Sequence, residues 1–294
     1  MRKMPPLMTA MVTPFDGALE VDVGAARELA QRLVEEGSVG LVVCGTTGEA
    51  PTLSTSEKAL MFRTVAEVVG SKAYVVAGTG TNNTAESLEL TRLAEDAGAH
   101  AVMLTTPPYN KPPQDCLVRH FTTLAEATPL PVVLYQVPSR TATRLEPATT
   151  VKLAHEVDNI VALKDAGSNI GETSAVRRGA PESFLVYSGN DGETLPILAV
   201  GGCGVVSVAS HVAAGRILGM IEAYGAGDVA GALRAHLDLM PIFDILFVTT
   251  SPIPVKAACE LRGIKVGGLR APLYEASDGL KERIAGVLRE CGVI

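Results

Sequence analysis

Short apolar runs return along this chain at a regular interval, each ending in polar or glycine-rich residues. They are LMTAMVTPF (7–15), GLVVCGTTGE (40–49), YVVAGTG (74–80), AVMLTTPPYN (101–110), PVVLYQVPSRT (131–141), IVALKDAG (160–167), FLVYSGND (184–191) and GVVSVAS (204–210). A continuous apolar run bounded by turn residues marks a strand covered on both faces. Segments with helical spacing lie between the runs, such as GAARELAQRLVEEG (24–37) and TAESLELTRLAEDAG (84–98). The second predicts an N-terminal cap at Thr84 and a stop at Gly98. Eight strands alternating with helices predict an α/β fold of the (β/α)8 barrel type. An open doubly wound sheet usually has fewer strands and carries a dinucleotide fingerprint. Here GTGTNN (78–83) lacks the final glycine of that motif.

From about residue 221 the pattern becomes helical without strands, in GDVAGALRAHLDLMPIFDILF, IPVKAACELRG and ASDGLKERIAGVLREC. The chain therefore divides into a barrel of residues 1–225, which carries the active site, and a small helical extension of residues 226–294. A chain of 294 residues is long enough for this, since such barrels fill about 250 residues as one domain. The stretch 194–215 is uncharged and long enough to span a membrane. It contains Pro196, Gly201–Gly202, Gly204 and His211, and reads instead as a helix end and a strand. The start of the chain is basic and then apolar, like a signal peptide. Pro5, Pro6 and Pro14 interrupt it, and no small-residue cleavage site follows.

A net charge of -7 and a pI near 5.3 argue against nucleic acid as a partner. No basic run exceeds a pair such as Arg177–Arg178, and there is no tryptophan to stack on bases. The five cysteines are scattered and form no C-x-x-C pair, which predicts a reducing cytoplasm and no disulfide framework. Cys44, Cys116 and Cys259 are expected to be small buried thiols.

Active sites of such barrels form at the C-terminal ends of the strands. Those ends present Thr46, Thr47 and Glu49, then Tyr109 and Asn110, Tyr135 and Arg140, Lys164, Gly189 to Asp191, and Ser207 with Ser210. Of nine lysines, Lys164 alone directly follows a strongly apolar run. Lysine there is costly unless it is solvated, paired or neutral. A neutral amine is a nucleophile able to form a Schiff base with a carbonyl substrate. The competing reading is a salt bridge to Asp165 or another acid of the rim. Tyr135, on the neighbouring strand about 4.8 Å away, is placed to shuttle the protons that Schiff-base formation requires, or is a core ring with a satisfied hydroxyl. Arg140 can present a fork of donors to a carboxylate, or can form an ion pair at a surface. The five histidines are dispersed without H-x-x-H or H-E-x-x-H spacing, which predicts no metal site.

GTTGEAPTLS (45–54), YQVPSRT (135–141) and LKDAG (163–167), each at a strand end, resemble the dihydrodipicolinate synthase family. This family belongs with the pyruvate-dependent Schiff-base lyases and aldolases, which include N-acetylneuraminate lyase. The likeness runs from MVTPF near the start to SPIPVKAA (251–258). It implies a Schiff base between Lys164 and pyruvate, with no other cofactor. It also implies a proton relay of Tyr135, Thr47 and Tyr109, the last reaching into a neighbouring subunit of a homotetramer of two tight dimers. Thr46 and Thr47 would hold the pyruvate carboxylate, and main-chain groups at Gly189 and Val206 would line the pocket beneath it. Arg140 would receive the carboxylate of aspartate semialdehyde, for lysine synthesis through diaminopimelate.

The arginine in PSRT favours the synthase branch over the sialic-acid lyase branch. Gln136, where the synthases usually have asparagine, and the LKDAGSN variant both border the pocket that sorts second substrates. A sister aldolase or dehydratase acting on a 2-oxo sugar acid is the alternative, and a binding protein without activity is a third. In lysine-regulated relatives, the amino acid binds at the tight-dimer interface. Asn82 and Glu86 match part of that site. Lys58 stands in place of a histidine, Pro108 replaces a tyrosine, and Ala50–Pro51 alters the adjoining loop, so lysine is expected to inhibit weakly or not at all.

Overall fold

The computed structural model describes residues 3–294. Each apolar run contains one strand: β1 (Leu7–Ala10), β2 (Gly40–Val43), β3 (Tyr74–Gly78), β4 (Ala101–Thr105), β5 (Val132–Gln136), β6 (Ile160–Asp165), β7 (Leu185–Ser188) and β8 (Gly204–Ser207). They close into one parallel barrel in chain order, with β8 returning to β1. The strands are shorter than the runs because the remaining residues leave the ladder as loops at the C-terminal rim. The strands are almost wholly buried, as expected of strands with packed side chains on one face and helices on the other. Leu7–Ala10, at the basic-then-apolar start of the chain, is a barrel strand; Met1 and Arg2 lie outside the described residues.

The helices are α1 (Val23–Glu35), α2 (Thr55–Val69), α3 (Thr84–Asp96), α4 (Gln114–Glu126), a single turn α5 (Pro138–Thr141), α6 (Pro147–Glu156), α7 (Ile170–Gly179), α8 (Thr194–Ala199), α9 (Ser210–Gly225), α10 (Val229–Leu246), α11 (Ile253–Leu261) and α12 (Asp278–Glu290). In α4, Leu117, His120, Phe121 and Leu124 are buried at helical spacing, which turns one apolar stripe towards the barrel. The cap of α3 is Asn83 rather than Thr84. The Asn83 side chain accepts the Ala85 N–H at 3.0 Å, while the Thr84 hydroxyl pairs with His120 Nδ1 at 2.9 Å. Asparagine outcompetes threonine here because its side-chain oxygen reaches the free N–H groups of the first turn.

Cys44 and Cys259 are buried, and burial pushes both thiols up to about 12, which leaves them unreactive. Cys116 is exposed, contrary to expectation, because it lies on the solvent side of α4. No helix among the described residues is long and apolar enough to cross a membrane.

Residue 225 ends α9, and α10 then packs along it. The buried core runs without a break from the strands into Leu239, Leu246, Val255 and Leu288 of the later helices. The segment after α11 returns to the barrel rim, where Val266 O accepts the Phe15 N–H at 3.0 Å.

Candidate active site

The parallel register aligns Tyr135 of β5 with Lys164 of β6, and Lys164 with Tyr187 of β7. Lys164 and Tyr135 are each only 5% exposed, and Nζ of Lys164 lies 4.1 Å from the centroid of the Tyr135 ring. The salt bridge to Asp165 is not made. Successive residues of a strand point to opposite faces, so Asp165 turns away from the side that Lys164 occupies. Its carboxylate accepts from Gln136 Nε2 at 2.9 Å, from the Gly167 N–H at 2.8 Å and from Thr173 Oγ1 at 2.8 Å. Lys164 has no ion pair among the described residues.

A cavity of about 170 Å³ opens onto this amine. Thr46, Thr47, Tyr135, Arg140, Lys164 and Gly189 all line it. At Gly189 a Cβ would stand 2.7 Å from the Ala166 Cβ, so only glycine lets these two rim loops approach so closely. Val206 lies within β8, and Val208 rather than Val206 is in the cavity lining. Arg140 is exposed on α5, has no ion pair among the described residues, and donates from Nη2 to the Ser251 carbonyl at 3.3 Å. Its remaining donors are available to a carboxylate. A second cavity of about 280 Å³ shares Thr46, Val137 and Arg140, and also touches Ala50, Pro51 and Pro108.

Tyr109 departs from this cluster. It is 90% exposed, with φ of +73°, and does not line the cavity of its own chain. Glu49 leaves it too, since it turns from the rim into a buried ion pair with Lys256 at 2.7 Å. Ser207 is engaged by Asp191, which accepts from Ser207 Oγ at 2.5 Å and from the Val208 and Ala209 N–H groups, both at 3.1 Å. Burial pushes the Asp191 carboxyl up, while those hydrogen bonds and the charge of Lys164 draw it back down.

Lys164 and Ala166 of the LKDAGSN run border the pocket as expected, whereas Gln136 and its partner Asp165 do not. The latter two bond to one another, are 2% and 3% exposed, and are absent from the cavity lining. Two residues that strand-end reasoning passes over do line it: Phe247 and Ser251, from the segment after α10. The signal for Ser251 was the SPIPVKAA stretch that it opens; Phe247 carries no comparable signal.

His211 is not a ligand but a buried structural group. Its Nδ1–H donates to Val208 O at 2.8 Å, and Nε2 accepts the Val12 N–H at 3.2 Å. Among the described residues, no three His, Cys, Asp or Glu side chains are grouped to hold a metal ion.

Residues 3–291 match the model of the dihydrodipicolinate synthetase family. A 4-hydroxy-tetrahydrodipicolinate synthase of Moorella thermoacetica is 49% identical over 288 residues, covering 98% of each chain. Among solved structures, a dihydrodipicolinate synthase of Bacillus anthracis superposes with a TM-score of 0.95 at 42% identity, covering 98% of this chain and 99% of its own. The enzyme of Cyanidioschyzon merolae, solved with lysine bound, superposes at 0.97 with 41% identity, covering 99% of both chains. With a barrel, an amine-bearing rim and near-complete coverage in agreement, the chain belongs to the dihydrodipicolinate synthetase family.

Proposed function

We propose that this protein is a lyase that condenses pyruvate with L-aspartate 4-semialdehyde to 4-hydroxy-tetrahydrodipicolinate, on the diaminopimelate route to lysine. The observation that carries the reading is the placement of Lys164 Nζ. It is buried, has no ion pair among the described residues, lies 4.1 Å from the Tyr135 ring centroid, and opens on a cavity rimmed by Arg140.

The amine attacks the pyruvate carbonyl carbon, and the resulting carbinolamine loses water to give an iminium. Tyr135, Thr47 and the Tyr109 of a neighbouring copy carry the protons for these steps. Positive charge on the iminium makes the pyruvate methyl group acidic. Its loss of a proton gives an enamine, whose carbon attacks the aldehyde of the second substrate. The amino group of that substrate then closes the ring and releases Lys164. The lysine is the electron sink, so no separate cofactor takes part. Thr46 and Thr47 hold the pyruvate carboxylate beside the wall at Gly189, with Val206 of β8 behind it, and Arg140 takes the carboxylate of the semialdehyde.

The exposure and positive φ of Tyr109 suit a side chain that serves a second copy, in a homotetramer of two tight dimers. Residues 1–225 then supply the Schiff-base chemistry, with residues 226–294 packed beside it. The setting is the cytoplasm, where thiols stay reduced. Lysine, bound by the Cyanidioschyzon merolae enzyme, is at most a weak ligand here.

Borohydride reduction in the presence of pyruvate should leave covalent mass on Lys164. A coupled assay should prefer aspartate semialdehyde to 2-oxo sugar acids. Trapping without condensation activity towards the semialdehyde would assign the chain to a sister aldolase instead.

A further inference from the structure

Glu49 follows Thr46, Thr47 and Gly48 in the loop after β2, and its φ of +56° is one that non-glycine residues rarely adopt. Such a conformation persists only where its surroundings hold it. The surroundings here come from the C-terminal segment. Glu49 Oε1 stands 2.7 Å from Lys256 Nζ, with both side chains 2% exposed, and Oε2 accepts the Arg270 N–H at 3.0 Å. Lys256 Nζ, which carries three N–H donors, also donates to Gly268 O at 2.6 Å. Lys256 Nζ and the Arg270 guanidinium lie 4.3 and 4.5 Å from the Phe15 ring centroid. Gly267, with φ of +64°, brings the segment so close that a Cβ there would stand 1.9 Å from Phe15 O.

The loop that Glu49 closes is itself tight. The Gly48 N–H donates to Gly45 O at 3.0 Å, the Glu49 N–H to Thr46 O at 3.1 Å, and Thr13 Oγ1 to Gly48 O at 2.6 Å. Arg270 grips the far end, donating to Thr52 O at 2.9 Å. A shift of Glu49 therefore carries Thr46 and Thr47 with it.

A buried ion pair is a poor device for stability alone, because replacing both partners with uncharged groups of similar size often costs nothing. It fixes geometry instead. We propose that Glu49 and Lys256 are positioning residues, forming a clasp by which the C-terminal segment holds the Thr46–Thr47 loop in register with Lys164. The clasp touches no substrate and acts through the two threonines, so the inference rests on the functional reading given above. It assigns to residues beyond the barrel a part in the pyruvate half of the reaction and none in the binding of the semialdehyde.

The test is a set of three variants of the full-length protein, Glu49→Gln, Lys256→Met and the double variant, each assayed well below its melting temperature. Lys256→Met leaves a buried carboxylate unpaired and is expected to melt lowest, with the double variant recovering towards the parent. The kinetics should not recover with it. The folded double variant should show kcat lowered about tenfold or more, since a misplacement of about 1 Å can cost about 100-fold. Its KM for pyruvate should rise and borohydride trapping should slow, with KM for the semialdehyde unchanged.

Parent-like kinetics in the folded double variant, or equal rises in both KM values, would overturn the clasp. If the double variant does not fold, the same two criteria apply to Glu49→Gln, which keeps the shape of the side chain. Failure of the parent itself to trap pyruvate would overturn the functional reading, a result distinct from trapping in the parent with unaltered variants.

Discussion

The ammonium of Lys58 lies 3.7 Å from the carboxylate of Glu86, and the Lys58 side chain is only 7% exposed. Lys58 is therefore not a screened charge on a solvated helix face, and it occupies the carboxylate that a free amino acid would otherwise meet. Beside this pair, the main-chain carbonyl of Asn82 accepts from Asn110 Nδ2 at 2.8 Å. Pro108, Ala50 and Pro51 shape the wall of the adjoining cavity without an aromatic ring. Titration of lysine into the assay should give half-inhibition above about 1 mM, equivalent to an association weaker than about −4.1 kcal/mol. Half-inhibition at lower concentration would show that the Lys58–Glu86 pair yields to the ligand.

Lys164→Ala should abolish trapping of pyruvate while the circular dichroism of the barrel is retained. Lys164→Arg should be inactive as well, because a guanidinium stays protonated and cannot condense with a ketone. Normal turnover by either protein would refute the Schiff-base mechanism.

Arg140→Ala should leave trapping of pyruvate largely intact and raise KM for the semialdehyde. Among the described residues its guanidinium is anchored by a single neutral carbonyl, that of Ser251, which leaves the other donors for substrate. Loss of a charge-assisted contact of this kind costs about 1.5–3 kcal/mol, or roughly ten- to a hundredfold. Equal semialdehyde affinity in variant and parent would make the arginine structural.

If Tyr109 completes the relay of a neighbouring copy, activity requires at least a dimer. Sedimentation at assay concentration should show the active species as an oligomer, and Tyr109→Phe should lower kcat without dissociating it. A fully active monomer would contradict the proposal.

Stability should fall in mild acid because of His211. Burial holds its imidazole down to about 4, the charge of Arg262 lowers it further, and the Val208 hydrogen bond and the charge of Glu36 oppose the shift. An unfolded chain restores the ordinary value of about 6.5. Between those values the unfolded state binds the additional proton, so the contribution is complete above about pH 6.5 and is lost as pH falls towards 4. The loss amounts to about 3 kcal/mol. Urea titrations of the parent and His211→Asn across that range should show a shallower acid slope in the variant. Parallel slopes would remove His211 as the cause.

The barrel was legible in the sequence because strands covered on both faces must be apolar throughout, and eight such runs admit few other closures. The meeting of Lys164 with Tyr135 was legible for a related reason. Both stand next to last in consecutive strands, and a parallel ladder pairs such positions in register. Local signals were weaker where two residues competed for one task, as Asn83 and Thr84 did for the cap of α3, or where a helix face had to be assigned, as for Cys116.

What only the tertiary structure decided are the contacts between segments far apart in the chain. Glu49 reads as a polar rim residue, and nothing near it in sequence announces Lys256. Asp165 reads as a partner for its neighbour Lys164, whereas strand alternation sends it to Gln136 on the other side. Phe247 and Ser251 reach the cavity because the chain after α10 returns over the rim. Periodicity is set by neighbours three or four residues away and is written locally. An ion pair or a cavity wall depends on how the closed barrel brings distant segments together, and no local pattern encodes that.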